Sequence, residues 1–126
     1  MCKKLLNQMS LEEVYYLRRK LSNINQVKYV NHCLDRMNEK QATHRDILRC
    51  LHSGEIVEFH FREQYNSCRV LLRDTVKRGK QLCLSVDLAT GEIITCYFNH
   101  MNDIHRTLIV NNYEKDVDIL GICRLY

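Results

Sequence analysis

The sequence predicts an α+β domain, with N-terminal helices packed on one face of a roughly four-stranded antiparallel sheet. Three observations carry this. Apolar residues recur at helical spacing up to about residue 53, and two of the runs open on capping signals. After Gly54 the period changes to two. The strands defined by that period put almost all their apolar side chains on one face, which a second layer must cover.

Taken in order, Ser10-Leu11-Glu12-Glu13 is an S-x-x-E capping box. Leu11, Val14, Tyr15, Leu17 and Leu21 then keep helical spacing until Ser22, Asn23 and Asn25 interrupt it. A second helix is expected over Val27–Lys40, on Val27, Val30, Leu34 and Met37. Thr43 reads as the N-cap of a third, with Asp46 near its positive end and Ile47, Leu48 and Leu51 as its stripe. Gly54 stops it. Strands are expected over Glu55–Arg62, Cys68–Asp74, Gln81–Leu88 and Glu92–Asn99, with turns at Lys77-Arg78-Gly79-Lys80 and Ala89-Thr90-Gly91-Glu92. In the tail, Thr107–Val110 and Asp118–Leu125 read as short strands.

The chain has 126 residues, 45% hydrophobic and 27% charged, with no proline. That suits one domain with a real core and excludes global disorder. No apolar run approaches the roughly 20 residues of a membrane span. The start, MCKKLLNQMSLEE, lacks the apolar stretch of a secretory signal. Seven cysteines, odd in number and widely spaced, read as free thiols in a reducing compartment, so a cytoplasmic protein is expected. No cysteine pair has zinc-site spacing, and neither metal nor cofactor is expected. Residues 1–53 hold ten basic and five acidic residues, and residues 54–126 hold nine and ten. The sheet half is therefore near neutral, which argues against a broad nucleic-acid track.

One strand face carries Val57, Phe59, Phe61, Val70, Leu72, Leu82, Leu84, Val86, Leu88, Ile94, Cys96 and Phe98. The other carries Glu58, His60, Arg62, Arg69, Arg73, Cys83, Ser85, Asp87, Thr95, Tyr97 and Asn99. Antiparallel sheets often leave one polar face to water, and that plain reading stands beside a functional one. Arg62, Arg69 and Arg73 present planar forks suited to phosphate. Tyr97 can stack on a base or donate a hydrogen bond. Ser85 and Thr95 are small and leave room for a ligand.

Several ordered motifs go further. They are His32-Cys-Leu-Asp-Arg36-Met37, then Gly54-Glu-Ile-Val57, Arg69-Val-Leu-Leu and Gly91-Glu-Ile-Ile-Thr95-Cys-Tyr97. Asn99, Asp103, His105, Thr107-Leu108 and Tyr113 follow. Together they resemble a family of small bacterial and phage domains grouped with the barnase–EndoU–colicin–RelE-like ribonuclease-toxin fold. The resemblance covers roughly residues 30–120. It divides the single domain into an N-terminal helix extension, 1–26, and a toxin-like core, 27–126. One position departs from it: Glu39-Lys40-Gln41 stands where the family often has an arginine.

What the resemblance implies is a metal-independent endoribonuclease that cleaves RNA by 2′-hydroxyl attack. His32, Arg36, Arg69, Thr95, Tyr97 and His105 would be its catalytic residues. Arg62, Arg73, Ser85 and Asn99 are expected to bind substrate. His32 or His105 would serve as base or acid, because a histidine titrates near neutrality. Each has an equally good structural reading as a hydrogen-bonding residue. His44 and His52 read as structural, and His60 and His100 stay open. The expected partners are RNA and an acidic antitoxin or immunity protein, with no membrane. Leu5, Leu11, Tyr15 and Tyr16 in the first helical segment offer a homodimer contact. The alternative is a non-catalytic binding module of the same fold, a phage or mobile-element protein inhibiting a host protein. A zinc protein using His100 and His105 and a DNA reader are weaker rivals, since neither has a supporting motif.

Overall fold

Two reciprocal capping boxes begin helices where the spacing placed them. In α1 (Leu11–Ser22) the Ser10 hydroxyl accepts from the Glu13 N–H at 3.2 Å, and the Glu13 carboxylate accepts from the Ser10 N–H at 2.9 Å. Thr43 and Asp46 make the same exchange at the start of the third helix (His44–Ser53), both bonds at 3.1 Å. That helix is α3; α2 spans Asn31–Lys40. Gly54 turns the corner out of α3, because a Cβ there would sit 2.3 Å from the Cys50 carbonyl. The structure, a computed structural model, describes residues 2–40, 42–65, 67–77, 80–100 and 113–125.

Among the described residues six strands form one mixed sheet. They are β1 (Cys2–Leu5), β2 (Lys28–Tyr29), β3 (Glu55–Arg62), β4 (Ser67–Lys77), β5 (Lys80–Asp87) and β6 (Glu92–His100), in the spatial order β1-β3-β4-β5-β6-β2. The α+β class holds, but the expected four strands gain one at each edge. β1 pairs antiparallel with β3, and β2 pairs parallel with β6. The second helix accordingly starts at Asn31 and not at Val27, because Lys28 and Tyr29 are drawn into the β6 edge. There the Lys28 N–H reaches the Gly91 carbonyl at 3.3 Å. Gly91 itself has φ of 73°, and its position beside the Gln26 carbonyl leaves no room for a side chain.

The tail is corrected as well. Asp118–Leu125, expected as a strand, forms helix α4 (Ile119–Leu125). The Asp118 carboxylate accepts from the Gly121 N–H at 3.1 Å, which opens the turn. Ile119 is buried, with Ile122 and Cys123 packed on the core one turn later. Thr107–Val110 lies outside the described residues.

The core lies between the helices and one sheet face. Leu17, Leu21, Ile47 and Leu51 meet Phe59, Leu72, Leu84 and Val86 there, all fully buried. The first 26 residues thus supply part of the same core. Two bulges alter the expected alternation. Pairing passes from Ile56–Leu72 to Glu58–Leu71, and from Ser85–Thr95 to Val86–Ile93. Val57 and Ile94 become the extra residues, only half-buried, and Ile93 takes the core position.

A buried ion pair ties the ends of the chain into this core. The Lys4 ammonium donates to Glu13 at 2.8 Å and to the Val117 carbonyl at 2.9 Å. The second Glu13 oxygen accepts from the Ile119 N–H at 3.1 Å. Burial alone would raise the Glu13 carboxyl. Lys4 and the Ser10 and Ile119 N–H groups more than offset that and hold it below its usual value.

Candidate functional site

Strand register builds the second face of the sheet. One row runs across β1, β3, β4 and β5 as Lys3, His60, Arg69 and Asp87. The next runs Leu5, Glu58, Leu71, Ser85 and Thr95. A third runs Glu55, Arg73, Cys83 and Tyr97. Arg62 lies two residues beyond His60 and so shares its face. Across this face neighbouring strands lie about 4.8 Å apart, so adjacent side chains in a row are within reach of one small ligand.

The first row is a cationic cluster around a neutral imidazole. Burial, reinforced by Lys3, Arg62, Arg69 and the chain's own N-terminal charge, pushes His60 down to about 4. Arg69 is likewise lowered, first by burial and then by Arg62; Asp87, Glu92 and Tyr65 act the other way. Its Nε is buried without a hydrogen-bond partner. Arg62 lies over the Tyr65 ring at 4.5 Å, and the Lys3 ammonium is 5.9 Å from the centre of the Tyr113 ring. Asp87 does not neutralise the cluster directly. Its carboxylate accepts from the Ser67 hydroxyl and from the Ala89 and Thr90 N–H groups of the turn. Among the described residues no ion pair links Lys3, Arg62 or Arg69 to a carboxylate.

The second and third rows are more closed. Cys83 is fully buried although it belongs to this polar face, because Tyr97 lies beside it and hydrogen-bonds to its thiol. Burial and then Cys83 push the Tyr97 phenol far up, so it stays a protonated hydroxyl. Tyr113 hydrogen-bonds to Glu58 and is raised too, first by burial. One Glu58 oxygen, Oε2, is buried with no hydrogen-bond partner. The C-terminal segment reaches this edge through the Glu114 N–H, which bonds the Lys3 carbonyl at 2.8 Å.

The candidate residues therefore divide. Arg62, Arg69, Ser85, Thr95 and Tyr97 share the second face as expected. Tyr97 is half-buried and bonded to Cys83, so the ring open for stacking is Tyr65, 63% exposed. Arg73 is on the face, but Glu55 takes its fork, with Nε to Oε2 at 3.0 Å and Nη2 to Oε1 at 3.3 Å. A substrate held by Arg73 would have to compete with that ion pair. Asn99 pairs with Gln81 toward the far end of β6. Arg36 is exposed on α2 beside Cys33 and Cys96, a buried pair on the helix-covered side. The sheet thus separates Arg36 from Arg69. His32 precedes Cys33 on the same helix. His105 lies outside the described residues.

His44 and His52 are structural, as expected: His44 bonds the Tyr29 hydroxyl, and His52 bonds the Ile24 carbonyl at 3.1 Å. His60, Lys3, Glu58 and Tyr65 were not chosen as site residues from sequence, and Tyr113 entered only as the last residue of the resembling motifs. The Glu58-His60-Arg62 alternation was the available signal for two of them. Lys3 comes only from long-range packing. Among the described residues no three His, Cys, Asp or Glu side chains are grouped to hold a metal ion.

The chain belongs to the family described as a domain of unknown function, DUF4258, whose model matches residues 29–119. No curated protein and no solved structure matches it. No helix among the described residues is long and apolar enough to cross a membrane.

Proposed function

We propose that the second sheet face binds the phosphodiester backbone of RNA and cleaves it by 2′-hydroxyl attack without a metal ion. One observation carries this reading: a neutral histidine stands among Lys3, Arg62 and Arg69, whose charges no described carboxylate pairs. A phosphate is the complement of that arrangement, since guanidinium forks match its oxygens bidentately. Being unprotonated at neutral pH, His60 takes the 2′-hydroxyl proton. Arg69 and Arg62 neutralise the phosphorane oxygens as charge develops; the 5′-oxygen leaves as it takes a proton from water, and the His60 imidazolium gives its proton to the hydroxide that remains. The products are a 2′,3′-cyclic phosphate and a 5′-hydroxyl. Tyr65 offers a stacking ring beside Arg62, and Ser85 and Thr95 leave a low floor for the ribose. In this reading the protein works in the cytoplasm, is a member of the ribonuclease-toxin fold it resembles, and is held in check by an acidic partner that covers the cluster.

The test is RNA cleavage in excess EDTA by the wild type, H60Q and R69A. The expected outcome is fragments with cyclic phosphate ends from the wild type and a loss of at least about 100-fold in both variants. Cleavage unchanged in both variants overturns the assignment.

A second reading, a non-catalytic binding module, is favoured by α1. Leu11 is 88% exposed and Tyr15 is 68% exposed, one turn apart on its outer side. Its first turn is acidic at Glu12, and its last turn is basic at Arg19 and Lys20. Two copies packed antiparallel along this helix would match charge with charge. No cleavage by any of the three proteins, together with a dimer that Y15E dissolves, supports that reading.

A further inference from the structure

We propose that Cys68 and Cys123 form a reversible, peroxide-driven disulfide that ties α4 to β4. The described cysteine side chains are all free thiols, and four of them form two hydrogen-bonded pairs. Cys33 and Cys96 make one pair, 0% and 2% exposed, sealed between α2 and β6. Cys68 and Cys123 make the other, and it differs in its access. Both line a small cleft with Lys20, Leu88 and Ala89. Cys123 is partly exposed there, while Cys68 forms the floor.

The arrangement suits oxidation of one pair and not the other. Within the exposed pair the two thiols interact, and that contact favours negative charge on one sulfur while the other stays protonated. Lys20 at the rim lowers the cost of charge on Cys123 as well. Two sulfurs already within hydrogen-bonding reach need little backbone movement to join.

The step balances with hydrogen peroxide as oxidant. The Cys68 thiolate attacks one peroxide oxygen, the O–O bond breaks, and hydroxide leaves to take up the thiol proton as water. Cys68 is then a sulfenic acid. The Cys123 sulfur attacks it, the S–S bond forms, and the sulfenic oxygen leaves as a second water. The sulfur pair loses two electrons, and the peroxide gains them. A dithiol reductant reverses the reaction by exchange.

What the bond would hold is the C-terminal end. Among the described residues that end is otherwise held by the Glu114 bond to the Lys3 carbonyl, the Lys4 bond to the Val117 carbonyl and the Ile119 bond to Glu13, besides its apolar packing. A covalent link from α4 to β4 closes a long loop and so removes freedom from the unfolded chain.

The test treats the folded, reduced wild-type protein with a modest excess of hydrogen peroxide, blocks remaining thiols with N-ethylmaleimide, and maps tryptic peptides. Two of the seven thiols should disappear. The peptides Glu63–Arg69 and Asp116–Arg124 should appear joined, and dithiothreitol should separate them. The thermal midpoint should rise on oxidation and return on reduction. C123A, changed at the partly exposed position, should lose the cross-link and the shift in midpoint. A joined peptide pair carrying Cys33 and Cys96 overturns the proposal. So does over-oxidation of a single cysteine with no joined pair, or seven thiols left intact.

Discussion

Lys3 and Lys4 are neighbours in the chain, yet the pleat of β1 sends them to opposite faces of the sheet, and their fates differ completely. Lys4 enters the core and finds Glu13, a backbone carbonyl and near-total exclusion of water. Lys3 joins His60, Arg62 and Arg69, where every nearby formal charge that depresses the histidine is positive. The Lys4 cluster is compensated bond by bond, and its components serve the fold. In the Lys3 cluster no described carboxylate makes an ion pair with the cations, and only the more distant Asp87 and Glu92 favour charge on Arg69.

The sharpest way to break this comparison is to remove one lysine at a time. K4M strands the Glu13 carboxylate in the core and should cost about 3–5 kcal/mol in urea unfolding. K3M relieves repulsion and should leave stability within about 0.5 kcal/mol of wild type, or raise it. Equal losses in both variants would erase the distinction.

Acid titration separates the same clusters. His60 stays neutral in the folded protein down to about pH 4, whereas an unfolded histidine protonates near 6.5. Between those values the unfolded chain binds the extra proton, so stability should fall as pH drops through this window. Glu13 adds a second loss at lower pH, because its folded carboxyl lies below the unfolded one. H60Q should remove the first decline and keep the second. Urea midpoints measured at pH 7, 5.5 and 4 read both.

Added inorganic phosphate sharpens the contrast from the ligand side. It should raise the thermal midpoint of the wild type by mass action and leave R69A almost unmoved. A shift of equal size in both would place the anion elsewhere. Effects smaller than that of K4M belong to surface features that serve neither cluster. T43A should lose about 1 kcal/mol with its cap, and E55A less than about 1 kcal/mol with its exposed ion pair. Chemical denaturation resolves both.

Much of this was legible in the chain. The caps at Ser10 and Thr43 announce their helices because the side chain, the N–H it satisfies and the return bond all lie within four residues. The Glu58-His60-Arg62 and Arg69-x-x-x-Arg73 alternations announce a polar face for the same local reason. Val57 and Ile94 were misplaced because a bulge depends on the partner strand, not on the strand that carries it. β1 and β2 are four and two residues long, too short for any period to show, and each is a strand only because an edge was open beside it. Arg73 looked equivalent to Arg69 until Glu55 was found opposite it. Arg36 looked like a partner of Arg69 until α2 came to rest over the other face.

The sequence by itself determined the class, the starts of α1 and α3, the β3-to-β6 meander and the polarity of the second face, since each follows from spacing and short-range bonds. Only the tertiary structure decided which cations lack a counter-charge, which histidine is kept neutral and which thiols open to a cleft. Those properties depend on groups as far apart in the chain as Lys3 and Tyr113 or Cys68 and Cys123, and on the water excluded between them. Spacing along a chain carries neither.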